Sequence, residues 1–108
     1  MKYHEPVLLK ETIENLNVKE GGKYIDATLG DGGHSLEILK RGGYVLGLDV
    51  NEKSLKRAQL RIKKESLDER FKGVLGNFKN IEKIGKENGF EKVNGIVYDL
   101  GYSSYELE

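Results

Sequence analysis

Three apolar runs in this chain end on an aspartate: "KYID" at Asp26, "YVLGLD" at Asp49 and "GIVYD" at Asp99. Runs this apolar leave no face for water, which is the pattern of strands covered on both sides in a parallel sheet. Segments of helical periodicity lie between them. Parallel strands need crossover connections, so the alternation predicts an α/β sheet with right-handed crossovers.

Leu9, Ile13 and Leu16 fall at i, i+4 and i+7, and Pro6 suits a first helical position, so an N-terminal amphipathic helix is expected. A first strand spans Lys23 to Leu29, and a helix over Ser35 to Arg41 is stopped by Gly42 and Gly43. The second strand spans Tyr44 to Val50. Asn51 is placed to cap the next helix, in which Leu55, Ala58 and Ile62 form the buried stripe. Its other side carries Lys53, Lys56, Arg57, Arg61, Lys63 and Lys64, a solvated face with RNA phosphates as the alternative reading. A weaker third strand over Phe71 to Phe78, a short helix over Ile81 to Glu87 and a turn at Asn88-Gly89 lead to a fourth strand, Val93 to Gly101. The simplest order of the four is 3-2-1-4. A doubly wound fold normally continues beyond this point, so the chain reads as a first half. The fourth strand is then expected on an exposed edge, apolar enough to drive self-association.

At 108 residues the chain makes one small domain. Without cysteine it can form neither a disulfide framework nor a thiolate metal site, and its two histidines, His4 and His34, are too far apart in sequence to suggest a metal pair. No apolar run approaches the roughly 20 residues needed to cross a bilayer, so no membrane association and a cytoplasmic location are expected. Eighteen basic residues balance eighteen acidic ones, so the whole-chain field does not attract a polynucleotide; a local patch or a further domain would have to grip it.

Ligands of open parallel sheets sit beyond the carboxyl ends of the strands, where strand order reverses, and that crevice would collect Asp26, Asp49 and Asp99. Directly after Asp26, "ATLGDGGHS" places Gly30, Gly32 and Gly33 in a turn that allows positive φ and close backbone approach. The helix beginning near His34 or Ser35 then points N–H groups at an anion, with His34 read as part of the cradle. Asp49, 23 residues after Asp26, is spaced to accept hydrogen bonds from two ribose hydroxyls. The turn is not a dinucleotide fingerprint: counted from Gly30, the third position is Ser35 rather than glycine. Asp26 suits an ammonium group. Ammonium, carboxylate and ribose together describe S-adenosyl-L-methionine, and tight packing alone is the competing explanation of the glycines.

At "HEPVLLKETIENL", "DATLGDGGHS", "GLDV", "GNF" and "DLGYSS" the sequence resembles the RsmH (MraW) family, the ribosomal small-subunit RNA cytosine-N4 methyltransferases. The resemblance runs through the whole chain. It implies a Rossmann-like S-adenosylmethionine-dependent methyltransferase fold of about seven strands, of which residues 1–108 would be the N-terminal half of the cofactor-binding domain; an RNA-holding helical domain would follow. It further implies that Gly32, Gly33 and His34 line the methionine part of the cofactor, Asp49 the ribose and Phe78 the adenine, with Asp99 near the transferred methyl. Asp99 is the candidate for polarising the amine, against a reading as a strand-end acid that binds cofactor or caps a turn. Tyr102 stands where the family has valine, and it is read either as stacking on a flipped cytosine or as a loop residue. Glu106 stands where the family has glutamine, and a carboxylate cannot donate the hydrogen bond an amide can at that cofactor position. The implied partner is 16S ribosomal RNA in the small subunit. The alternative is a truncated, catalytically inactive nucleoside-cofactor-binding or structural module.

Overall fold

The computed structural model describes residue 3, residues 9–98 and the backbone of residues 101–104. The expected alternation is observed: α1 (Leu9–Leu16), β1 (Lys23–Asp26), α2 (Gly33–Lys40), β2 (Tyr44–Asp49), α3 (Glu52–Lys64), β3 (Phe71–Leu75), α4 (Ile81–Glu87), β4 (Gly95–Tyr98) and β5 (Gly101–Ser104). The sheet order is β3-β2-β1-β4-β5, with the first four strands parallel, as the 3-2-1-4 expectation requires. Pro6 lies outside the described residues.

Strand alternation divides the core into two layers. Tyr24, Val45 and Val97 are buried with Ile13 and Leu16 of α1, Leu36, Ile38 and Leu39 of α2, and Ile62 of α3. Their strand neighbours Ile25, Leu46 and Leu48 pack the other way, with Phe90, Val93 and the half-buried Ile81 and Ile84 around α4. Helices α2 and α3 thus cross on one face while the chain steps outward from β1 to β3. Helix α4 returns on the other face to place β4 beside β1. Strand order reverses between β1 and β4, which is where such sheets open a crevice.

Helix α3 forms as its sequence indicates. The Asn51 side chain accepts a hydrogen bond from the Ser54 backbone N–H at 3.1 Å, and Leu55, Ala58 and Ile62 are the buried residues. Helix α4 covers the residues expected of it, Ile81–Glu87.

The structure corrects the sequence reading at the fourth strand. Strand β4 is not an edge, because β5 pairs with it antiparallel over Gly95↔Ser104 to Tyr98↔Gly101. The backbone groups that would have recruited a second copy are occupied within the chain, so the self-association expected through an open β4 loses its basis. The strands are also shorter than the apolar runs: β1 stops at Asp26, β3 at Leu75 and β4 at Tyr98. Beyond β1 and β3 the following residues form loops at the carboxyl end.

Candidate nucleotide site at the carboxyl ends of the strands

The two described strand-end acids sit differently. Asp26 is fully buried, and its Oδ2 accepts a 2.7 Å hydrogen bond from Ser35 Oγ in the first turn of α2. A buried carboxylate held by a hydroxyl ties the end of β1 to the helix that follows. Asp49, half-buried at the tip of β2, accepts from Gly30 N–H at 3.1 Å through Oδ2 and from Asn51 N–H at 2.9 Å through Oδ1. An ionised carboxylate has about four acceptor sites, so Asp49 retains capacity for ligand hydroxyls while its orientation is fixed from both sides.

After Ala27, whose N–H pairs with Val97 carbonyl, the chain swings toward β2, where Leu29 N–H bonds the Leu48 carbonyl. Gly32 N–H then closes a tight turn onto the Leu29 carbonyl at 2.8 Å. Gly30 and Gly32 both have positive φ, +51° and +79°, yet they face different surroundings. A Cβ on Gly30 would meet nothing nearer than Thr28 carbonyl oxygen at 4.0 Å, so this glycine borders open space where a ligand can approach. A Cβ on Gly32 would lie 3.3 Å from Ala58 Cβ. Gly32 therefore lets the start of α2 close against α3, a packing requirement that stands beside the cofactor contact expected of its backbone. Gly33 and His34, the latter 3% exposed, are buried in the first turn of α2.

Beyond β3 the Asn77 side chain accepts from Lys79 N–H at 3.1 Å and caps a short 3-10 turn, Phe78–Asn80. That turn holds Phe78 half in solvent, at 50% exposure. Leu75 is the register partner of Asp49, and Val50 follows Asp49 in sequence; both are more than half exposed. Three large exposed apolar side chains thus follow or flank the ends of the neighbouring strands β2 and β3, a composition suited to a flat heterocycle beside the acid. The sequence reading places Val50 and Leu75 within strands, and with strands that long their exposure is not legible. Asp99 and Glu106 lie outside the described residues, and Tyr102 is described only by its backbone in β5.

A parallel 3-2-1-4 sheet with a glycine turn after β1 and an acid at the tip of β2 is the architecture of Rossmann-like S-adenosylmethionine-dependent methyltransferases. Solved structures share it: an rRNA methylase from Streptococcus thermophilus superposes with a TM-score of 0.69 at 17% identity, covering 91% of this chain and 52% of that one. An S-adenosylmethionine-dependent O-methyltransferase from Thermotoga maritima superposes with a TM-score of 0.70 at 22% identity, covering 91% and 36%. At these identities the likeness establishes the fold. Sequence goes further: the MraW methylase family pattern matches residues 1–108, and the chain belongs to that family. It is 51% identical over 106 residues to the ribosomal RNA small subunit methyltransferase H of Carboxydothermus hydrogenoformans, covering 97% of this chain and 33% of the relative. It is 47% identical over 108 residues to the enzyme of that name from Clostridium botulinum strain Hall, covering 97% and 34%. The chain thus spans about a third of the length of these relatives.

Proposed function

We propose that the chain is the cofactor-binding part of an S-adenosyl-L-methionine-dependent methyltransferase that modifies the N4 amine of a cytidine in 16S ribosomal RNA, acting in the cytoplasm. The observation that carries the reading is the Asp49 carboxylate, oriented by Gly30 and Asn51 N–H groups, with Val50, Leu75 and Phe78 exposed at and beyond the ends of β2 and β3. The residues fit the cofactor. Asp49 would accept the ribose hydroxyls, and Phe78 with Val50 and Leu75 would flank the adenine. The open side of Gly30 would admit the backbone approach of the amino-acid part. Asp26, with its Ser35 partner, would shape the turn from within, a support role in place of direct contact with the ammonium.

Bound S-adenosylmethionine supplies a methyl group made electrophilic by its sulfonium. The protein's part in transferring that methyl to an amine is to align the nitrogen with it, exclude water and take up the positive charge and proton that the nitrogen sheds. Asp99, the residue after Tyr98 in the sequence, is the proposed acceptor of that amine hydrogen bond. Tyr102 is the proposed stacking partner of the base. Among the described residues no helix is long and apolar enough to cross a membrane.

The test is transfer of radiolabelled methyl from S-adenosylmethionine to isolated small ribosomal subunits, with nucleoside analysis of the product. Labelled N4-methylcytidine that disappears in Asp99→Ala supports the assignment; label on another nucleoside refutes the N4 specificity. Cofactor binding without transfer favours the inactive-module alternative for this length of chain.

A further inference from the structure

The turn from Leu29 to Gly32 contains two glycines at positive φ, a conformation that is entropically costly to hold unless something ties it. It is tied from β2 by the Gly30 to Asp49 hydrogen bond. It is also tied from behind, through Asp31. The Asp31 carboxylate lies 3.0 Å from Arg57 Nε, and its backbone carbonyl accepts a 2.9 Å hydrogen bond from Arg61 Nη1. Arg57 and Arg61 are four residues apart on α3, so one helix face grips both the side chain and the backbone of the same residue. The Tyr3 ring lies over both guanidinium groups, 5.0 Å from Arg57 and 4.5 Å from Arg61. Only 13% of the Asp31 side chain and 33% of the Arg57 side chain are exposed, so this is not a solvent-screened surface pair of negligible effect.

Resting on the cofactor reading above, we propose that Arg57 and Arg61 are positioning residues: acting through Asp31, with Tyr3 as their cover, they hold the glycine turn in the shape that presents Gly30 to the cofactor. They touch the ligand nowhere. Their effect is on the geometry of a turn that must approach it closely, where small displacements lose binding. The charged face of α3, which the sequence offered as solvated or RNA-facing, is thereby divided: Arg57 and Arg61 face the turn, while Lys53, Lys56, Lys63 and Lys64 remain exposed.

The test is calorimetric titration of the chain with S-adenosylhomocysteine, paired with thermal melting, for Asp31→Asn, Arg57→Gln, their double variant and Arg57→Lys. Each single variant is expected to weaken binding about fivefold or more, and the double no further than the weaker single, because coupled residues share one effect. Arg57→Lys, which keeps the charge beside Asp31, should bind more tightly than Arg57→Gln, a recovery that general destabilisation would not produce. Tyr3→Ala, a change far from the sheet in sequence, should weaken binding in the same direction. Unchanged affinity in the variants, or additive losses in the double, would overturn the proposal while leaving the cofactor reading intact. Failure of the unaltered chain to bind would remove both.

Discussion

The two positive-φ glycines of the turn make opposite predictions when each is replaced by alanine. At both positions a Cβ in the left-handed region costs about 1–2 kcal/mol, partly offset by about 0.4–1 kcal/mol of lost unfolded-state freedom. Gly30→Ala adds no clash, since its Cβ meets nothing nearer than 4.0 Å, so its net cost is about 1 kcal/mol. Gly32→Ala adds a 3.3 Å contact with the Cβ of the fully buried Ala58, and Ile62 Cδ1 stands 3.9 Å away, so α2 and α3 must separate slightly. Overpacking of this kind costs a further ~1–3 kcal/mol. For a domain of this size, 1 kcal/mol corresponds to roughly 4–8 °C in Tm, so Gly32→Ala should melt lower than Gly30→Ala by roughly 4–24 °C. Affinity for S-adenosylhomocysteine, measured well below both transitions, should fall in the other order, because the new methyl of Gly30→Ala occupies the space proposed for the ligand. Thermal melts followed by circular dichroism decide the first half. Equal Tm losses would refute the packing role of Gly32, and affinities that track Tm would refute the ligand-facing role of Gly30.

Ser35→Ala removes the hydroxyl donated to the buried Asp26 carboxylate and should destabilise the chain by about 1.5–3 kcal/mol in urea unfolding, the range for hydrogen bonds to charged groups. A change under 0.5 kcal/mol, the scale of an ordinary surface substitution, would show that this bond does not tie β1 to α2. Phe78→Ala deletes a half-exposed ring, so its stability should move by less than about 1 kcal/mol, while S-adenosylhomocysteine affinity drops about tenfold through lost stacking. The reverse pattern would make Phe78 a core residue.

The sheet was legible because its determinants are local. The apolar runs, the Asn51 cap, the Leu55-Ala58-Ile62 stripe and the stops at Gly42-Gly43 each act within a few residues. Strand order followed from the crossovers they imply. Strand β5 escaped notice because "GYSS" carries no alternation and few β-formers; it pairs because β4 offers an open edge beside it, a tertiary circumstance. The candidate site was half legible. Asp49 closes β2 as its apolar run indicates, whereas β3 ends at Leu75 and Phe78 opens the 3-10 turn beyond it. The sequence could not tell Gly30 from Gly32, since their difference lies in Ala58, 26 residues beyond Gly32. The Asp31 to Arg57 pair spans the same distance, and no periodicity joins its members. The burial of Asp26 and His34 is likewise a tertiary property that the contiguous motif does not announce.

The most direct test of the account is a calorimetric titration of this chain with S-adenosylhomocysteine, run beside Asp49→Ala and with NAD as the control ligand. The account predicts binding to the unaltered chain, its loss in Asp49→Ala despite an unchanged fold, and no binding of NAD. Absence of S-adenosylhomocysteine binding by a chain whose melt shows it folded, or equal binding by Asp49→Ala, would contradict the claim that the tips of β1 and β2 form the cofactor site.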